Sequence, residues 1–263
     1  MITSPFPNAL GEPSTLNRVP KVTVDFWLIK LMAVTMGETA ADYINVRMGI
    51  GLTNTSLIMT AILIAALILQ FSQKRYVPWS YWLSVVLISV VGTLITDNLV
   101  DNFHVPLIVC AVGFTIALAA TFAIWHTAEG TLSIHSIRTN RREAWYWLAI
   151  LFTFALGTAA GDLVAEKFGL GYFSTGILFG LIIASLSIGY FFLGLDAILG
   201  FWLVYILTRP LGASFGDLLS QEPKFGGFGL GTIITSAIFL GAIILIVGYM
   251  TLTSDGDEPA VDA

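Results

Sequence analysis

Residues 147–162 read WLAILFTFALGTAAGD, and the spacing of Trp147, Gly157 and Asp162 within them recurs three more times in the chain. Ten positions lead from tryptophan to glycine and five more lead to aspartate in every copy. In order, the copies are Trp27, Gly37 and Asp42; Trp82, Gly92 and Asp97; Trp147, Gly157 and Asp162; and Trp202, Gly212 and Asp217. Each copy lies in an apolar run that a second apolar run follows. The pattern therefore predicts a two-helix unit used four times.

Composition places these units in a membrane. Of the 263 residues 56% are hydrophobic and only 11% are charged, whereas a soluble domain carries about 25% charged residues. A helix of about 20 apolar residues spans a hydrocarbon core of about 30 Å. Eight such runs occur, at roughly 23–44, 52–71, 79–100, 106–125, 144–165, 172–193, 199–219 and 230–251. The sequence thus predicts an all-α polytopic membrane protein with eight transmembrane helices. Its single cysteine, Cys110, rules out an internal disulfide bond.

The spacing of the copies predicts how the domain is organised. The four tryptophans are 55, 65 and 55 residues apart, which indicates that a pair of repeats was itself duplicated. The predicted repeats span 22–75, 76–130, 141–195 and 196–252. Because each holds two helices, all four enter the membrane from the same side, as parallel repeats about a pseudo-fourfold axis. Residues 1–21 are predicted to be a flexible cytoplasmic N-terminal tail, and 253–263 an acidic C-terminal tail.

Lysine and arginine in the short loops predict the orientation. One side would carry Arg18, Lys21, Lys74, Arg75, Arg138, Arg141 and Arg142, and the other Arg47, Lys167 and Lys224. Cytoplasmic loops are enriched in these residues. We therefore expect both termini in the cytoplasm. The aspartates then lie about 22 Å beyond the tryptophans, in the outer third of the bilayer.

The tryptophans and glycines of the block have structural interpretations. Tryptophan is enriched at membrane interfaces, which predicts that Trp27, Trp82, Trp147 and Trp202 are anchors there. Small residues let helices approach closely, which predicts that Gly37, Gly92, Gly157 and Gly212 pack helix against helix. The first helix of each repeat would then form an inner layer, and the more uniformly apolar second helices would face lipid.

The aspartates favour a function. A carboxylate within the hydrocarbon region is costly unless it faces water or a partner. Each has a polar residue one helical turn away, in the pairs Glu38 and Asp42, Asp97 and Asp101, Asp162 and Glu166, and Asp217 and Gln221. Such pairs around one axis predict a negative funnel. Its ion-binding and metal-ligating residues would be Asp42, Asp97, Asp162 and Asp217 with Glu38, and its second ring Asp101, Glu166 and Gln221. Alternatively, each aspartate caps a neighbouring helix or reaches the interface.

Two cationic side chains accompany this acidic set. Arg209 is expected to pair with Glu38 across helices, while Lys30 either serves as a second charge partner or extends to the interface. Pro210 is expected to kink or unwind its helix. His104 is a surface residue or a further member of the site. The two connector histidines, His126 and His135, are expected to be solvated.

With these four blocks, the sequence resembles a family of bacterial membrane proteins of unknown function, built from four tandem two-helix repeats that each carry a tryptophan. The resemblance covers about residues 22–252. Copy two departs from the pattern, since it lacks the Gly-x-Gly turn of Gly49 and Gly51 that copies three and four share. The resemblance implies the repeat fold, a location in the bacterial inner membrane and no particular activity.

The leading functional hypothesis is a cation transporter, most sharply an exporter of a divalent metal such as Mn²⁺, because oxygen ligands suit hard ions. The alternatives are a proton-coupled carrier of a small solute and a non-transporting structural or regulatory protein. An enzyme is not expected: Gly161-Asp162 and Gly216-Asp217 share only a dipeptide with intramembrane aspartyl proteases. The predicted partners are the lipid bilayer and a small cation, with no cofactor and no nucleic acid; the oligomeric state stays open.

Overall fold

A computed structural model describes residues 17–254 of the chain, and all its regular elements in that range are helical. The long helices are α1 (Val24–Asp42), α2 (Leu52–Ser72), α3 (Pro78–Asp97), α4 (Leu107–Glu129), α5 (Asn140–Asp162), α6 (Gly171–Phe192), α7 (Ala197–Ser220) and α8 (Thr232–Ser254). The predicted all-α class is confirmed. α7 runs through Pro210 as one continuous helix, so of the two expected effects of this proline, a kink or unwinding, unwinding was wrong.

The odd-numbered helices form a closed ring. α1 packs against α3 and α7, and α5 packs against the same two helices from the other side. Each even-numbered helix packs on the first helix of the following repeat: α2 on α3, α4 on α5, α6 on α7, and α8 back on α1. The ring is the buried layer, since 67% of the most apolar stretch of α3 is buried against 11% of that of α6. The even helices therefore expose most of their apolar surface.

The repeated glycines fix the spacing within this ring. A Cβ atom on any of these glycines would overlap a residue of the next ring helix. In every case that residue lies seven positions after the tryptophan of its own helix. The pairs are Gly37 with Ser89, Gly92 with Phe154, Gly157 with Arg209, and Gly212 with Val34. The relation returns from α7 to α1, so the same close approach joins all four ring helices.

The tryptophans gather at one end of the ring, here named the tryptophan end. The aromatic residue before each tryptophan packs against the tryptophan of a neighbouring ring helix, with ring centroids 5.4–6.2 Å apart. Trp82, Trp147 and Trp202 are only 1–3% exposed. An interfacial anchor faces lipid and head groups, so that interpretation does not describe these three tryptophans. They are parts of the protein core, and only Trp27 is partly exposed.

The aspartates gather at the opposite end, here named the aspartate end. Beyond Asp42, Asp97 and Asp162 the chain continues in one turn of π-helix: Tyr43–Arg47, Asn98–Asn102 and Leu163–Lys167. Copy four differs, because it leaves α7 at Ser220 and makes a 3-10 turn at Pro223–Phe225. These turns were not predicted from the sequence.

His104 is explained by the turn that follows the π-helix of copy two. Gly49, Gly169 and Gly229 have left-handed backbones with φ of 65–76°, and His104 has φ 55° at the equivalent position. Glycine adopts this conformation without a steric penalty, while other residues rarely do. The side chain of His104 is exposed, which matches the surface alternative. His126 and His135 are also exposed.

Seven of these helices are long and apolar enough to cross a membrane, as expected for a membrane protein. The eighth, α1, carries Asp25, Lys30, Glu38 and Asp42 within 19 residues. Lys30 is fully buried and Glu38 is 7% exposed. Two of the four charges therefore face the inside of the ring rather than its surroundings.

The segment directly before α1 is packed against the protein. Residues 1–21 were predicted to be a flexible tail, but Arg18 is 9% and Val19 is 3% exposed. The backbone N–H of Arg18 donates to the carbonyl of Ile137 at 2.9 Å, and Asn17 Nδ2 donates to the carbonyl of Ile134 at 3.1 Å. This stretch is therefore packed onto the connector between α4 and α5. Residues 1–16, and 255–263 of the acidic tail, lie outside the described residues.

Candidate ion-binding site

A buried ion pair lies at the centre of the ring. Arg209 Nη2 on α7 lies 2.6 Å from Glu38 Oε2 on α1, which is the pair that the sequence predicted. The Arg209 side chain is 1% exposed and that of Glu38 9%. At such burial a charge is tolerated only with a partner and hydrogen bonds, which explains why the two occur together.

Two threonines also accept hydrogen bonds from Arg209. The position eleven residues after the tryptophan is Glu38 in copy one, Thr93 in copy two and Thr158 in copy three. Arg209 Nη2 donates to Thr93 Oγ1, and to Thr158 Oγ1 at 2.8 Å. Thr93 Oγ1 also donates to Glu38 Oε2 at 3.1 Å. The guanidinium group therefore joins all four ring helices at one level and closes their common axis.

Lys30 is the second buried cation, and it does not extend to the interface. Its Nζ donates to the carbonyl of Tyr205 at 2.8 Å and to Thr208 Oγ1. It also lies 3.9 Å from the centroid of the Tyr205 ring, where the face of the ring attracts a cation. Among residues 17–254 no carboxylate lies within ion-pair distance of Lys30, while Arg209 is close enough to repel it. The centre of the ring thus holds two cationic side chains and one carboxylate.

The four aspartates form an acidic ring beyond this centre. Asp97 interacts electrostatically with Asp42, Asp162 and Glu38, and Asp217 interacts with Asp42 and Asp162. All four are partly exposed. In the described part of the chain their side chains accept no hydrogen bond and make no ion pair, so they do not cap neighbouring helices. The four carboxylates therefore share one negative environment, in which Arg209 attracts Asp162.

The predicted metal site is not assembled. Within residues 17–254 no three Asp, Glu, His or Cys side chains approach closely enough to hold one metal ion. In the predicted second ring, Asp101 and Glu166 are exposed, while Gln221 is partly buried. Glu166 and Gln221 line one cavity of about 440 Å³ at the aspartate end. The carboxylates thus share an electrostatic environment without forming a compact set of ligands.

Comparison with known families explains the fourfold pattern. Four stretches of the chain, 26–76, 80–131, 145–194 and 200–255, match the family model described as Repeat of Unknown Function (DUF347). The chain belongs to the DUF347 family. Each match contains one complete Trp-Gly-Asp block, and the resemblance drawn from the sequence is confirmed. No curated protein and no solved structure matches the chain. The family defines the repeat and assigns no activity.

One buried carboxylate of this DUF347 chain escaped the sequence analysis. Glu143 on α5 is fully buried at the tryptophan end. It accepts hydrogen bonds from Arg18 Nη1 at 2.7 Å, Gln70 Nε2 at 2.9 Å and Trp147 Nε1 at 3.2 Å. It was missed because it follows Arg141 and Arg142 directly, in a stretch typical of a solvated connector. Its position one turn before Trp147 was the available signal.

Proposed function

We propose that the protein is a cation transporter of the bacterial inner membrane, with eight transmembrane helices and both termini in the cytoplasm. Its four two-helix repeats are parallel about a pseudo-fourfold axis. The closed packing of the ring helices, the cyclic glycine contacts and the Lys and Arg bias of the loops support this topology. α1 spans the membrane in spite of its charges, because Lys30 and Glu38 lie inside the ring.

The observation that carries the proposal is the acidic ring without partners. Four carboxylates at equivalent positions repel one another, and attraction to Arg209 offsets this only in part for Asp162. Such an arrangement persists when it serves a ligand, and intramembrane carboxylates commonly mark ion pathways. A cleft lined by one sign of charge also concentrates ions of the opposite sign. Asp42, Asp97, Asp162 and Asp217 therefore attract the transported cation.

Arg209 acts as the stand-in for that cation. In this structure its guanidinium group forms an ion pair with Glu38 and donates hydrogen bonds to both threonine hydroxyls around the axis. A cation that reaches Glu38 must displace Arg209, and its release lets Arg209 return. The sharpest form of the proposal is export of a divalent ion such as Mn²⁺, for which the carboxylates have to draw closer than they are here.

Flux into liposomes tests this function. Purified protein is reconstituted, and uptake of Mn²⁺, Mg²⁺, Zn²⁺, Na⁺ and protons is followed with ion-sensitive dyes. We expect flux of one of these ions in the wild type and its loss in Asp162→Asn and Asp217→Asn. Asp25→Asn is the matched control, because Asp25 is an exposed carboxylate in the first turn of α1, at the opposite end of that helix from Asp42. Flux of none of the ions, with correctly folded protein, contradicts the proposal.

A proton-coupled carrier of a small solute is the second candidate. It is favoured because no three-ligand metal cluster occurs within residues 17–254, whereas proton exchange needs only single carboxylates. The cavity beside Glu166 and Gln221, at about 440 Å³, falls in the size range of small-molecule pockets. Solute uptake that requires a pH gradient, with no metal flux, distinguishes this candidate. If neither metal nor solute flux is found, and the Asp→Asn variants leave the metal tolerance of cells unchanged, the structural or regulatory alternative remains.

A further inference from the structure

The surroundings of the four tryptophans differ between repeats, although their helices are equivalent. On the outer face of Trp202, α4 contributes two aromatic side chains. The ring centroids of Phe122 and Trp125 lie 4.8 Å and 5.8 Å from that of Trp202. Trp202 is consequently 3% exposed. In copy four, the space beside the tryptophan is therefore filled by side chains of α4.

The equivalent side chains in the other even helices can be read from the sequence. Each of these helices has a buried small residue in its first turn, namely Thr55, Cys110, Thr175 or Thr235, exposed by 0–4%. Twelve positions after it come Leu67, Phe122, Ser187 and Val247, and fifteen positions after it come Gln70, Trp125, Tyr190 and Met250. In α2 and α8 both side chains pack in the interior of the protein. Only α6 contributes a serine, and its Tyr190 is 47% exposed.

A cavity of about 630 Å³ results beside Trp27. It lies at the tryptophan end between α1, α6, α7 and residues 132–135 of the connector. Trp27, Ser187, Tyr190 and Phe201 line it, and Gly200 adds to the space. The repeat therefore has room at copy one for a molecule that replaces the aromatic side chains present at copy four.

The walls and the rim of this cavity have different chemistry. The interior is mainly apolar and aromatic, while Thr23, Ser133 and His135 provide polar groups at the connector. Exposed Lys21 directly precedes Val22, which lines the cavity. The outer wall continues into Phe191 of α6, which is 74% exposed. An occupant should therefore be apolar along most of its length and anionic at the rim.

We propose that this cavity binds an acyl chain of an anionic phospholipid, with the phosphate near Lys21 and His135. The proposal depends on the membrane placement given above and not on the transported ion. The volume of the cavity falls within the range of ligand pockets. The cavity opens toward exposed apolar side chains, which suits a ligand that arrives from the bilayer. Basic residues close to a membrane surface attract anionic lipids, and the predicted cytoplasmic side carries most of the lysines and arginines.

The cavity also contacts the elements that hold the central ion pair. Trp27 and Phe201 lie 6.4 Å and 5.5 Å, by ring centroid, from Tyr205, and Tyr205 holds Lys30. A bound acyl chain therefore packs on the contact between α1 and α7. Since a ligand that binds only the folded state raises its stability, the lipid should raise the melting temperature.

Native mass spectrometry and thermal unfolding with added lipid test the proposal. Phosphatidylglycerol is the probe and phosphatidylcholine the neutral comparison. We expect wild-type protein to retain phosphatidylglycerol preferentially and to melt at a higher temperature in its presence. Ser187→Phe places in α6 the residue that α4 has, so it should abolish both effects while the protein alone melts at the same or a higher temperature. Ser185→Phe, on an exposed position of the same helix, is the control and should leave both effects intact.

Three outcomes overturn the proposal. They are equal retention of the two lipids by the wild type, unchanged retention in Ser187→Phe, and an unchanged preference in Lys21→Gln. If Ser187→Phe does not fold, Ser187→Leu replaces it, and the wild-type comparison of the two lipids remains decisive. Recovery of the protein outside the membrane fraction would contradict the membrane placement itself. Membrane protein without lipid preference would contradict this inference alone and leave cation transport standing.

Discussion

Buried or partly buried carboxylates occur at both ends of the ring, but they accept hydrogen bonds at only one of them. At the tryptophan end, Glu143 is fully buried and accepts hydrogen bonds from Arg18, Gln70 and Trp147. At the aspartate end, four carboxylates accept none from any described residue, although they repel one another. A satisfied polar network stabilises a unique fold, whereas an unsatisfied set costs stability. We therefore expect the tryptophan end to stabilise the fold, whereas the aspartate end carries the cation site that we propose.

The largest effect is expected at the centre, where both requirements meet. Arg209→Gln leaves Glu38 buried without its cationic partner, and breaking a buried pair typically costs about 3–5 kcal/mol. Glu38→Gln with Arg209→Gln removes both charges and should recover a large part of that loss. The free energies of unfolding of both single variants and the double variant, measured in detergent, give the coupling energy. Additive losses would show that the pair does not couple α1 to α7.

The repeats and this ion pair are the parts that sequence could predict. Trp-Gly-Asp spacing is visible directly, and aligning the copies brings Arg209 within one turn of Glu38. Burial of the tryptophans was not predictable from their residue type, since an interfacial and a core tryptophan both occur in apolar runs. The aromatic residues that precede them, Phe26, Tyr81, Tyr146 and Phe201, were the overlooked signal. Glu143 was missed because it follows two arginines in a stretch typical of a solvated connector, and its partner Arg18 is distant in sequence.

The glycines test whether the close ring is required. Gly157→Leu would overlap the side chain of Arg209, and overpacking of this kind typically costs about 1–3 kcal/mol. Gly113→Leu is the matched control, because a Cβ atom on Gly113 of α4 meets nothing within 4 Å. Thermal unfolding and size-exclusion profiles should separate the two variants. Equal stability of both would mean that α5 and α7 do not meet at Gly157.

At the tryptophan end, removing one charge should destabilise the fold. Glu143→Gln keeps the shape but leaves Arg18 without its ion-pair partner, and we expect a loss of about 1–3 kcal/mol, typical of a spoiled buried hydrogen-bond network. Lys224→Gln is the comparison, since Lys224 forms an exposed pair with Glu222 at 2.8 Å and such pairs contribute about 1 kcal/mol or less. If Glu143→Gln is as mild as Lys224→Gln, the satisfied network is not a source of stability.

At the aspartate end, replacing a carboxylate by its amide should have the smallest effect on stability. The effect should also be opposite in sign, a slight gain instead of a loss. Asp162→Asn and Asp217→Asn remove charges that accept no hydrogen bond from any described residue, so mutual repulsion within the acidic ring falls. We expect melting temperatures in detergent equal to or slightly above that of the wild type, because an unpaired carboxylate is costly where water is scarce. Mn²⁺ or another transported cation should stabilise the wild type by mass action, and this shift should shrink in both variants. A clear loss of stability in the Asn variants, with no cation shifting the wild type, would instead mean that the aspartates hold the bundle together.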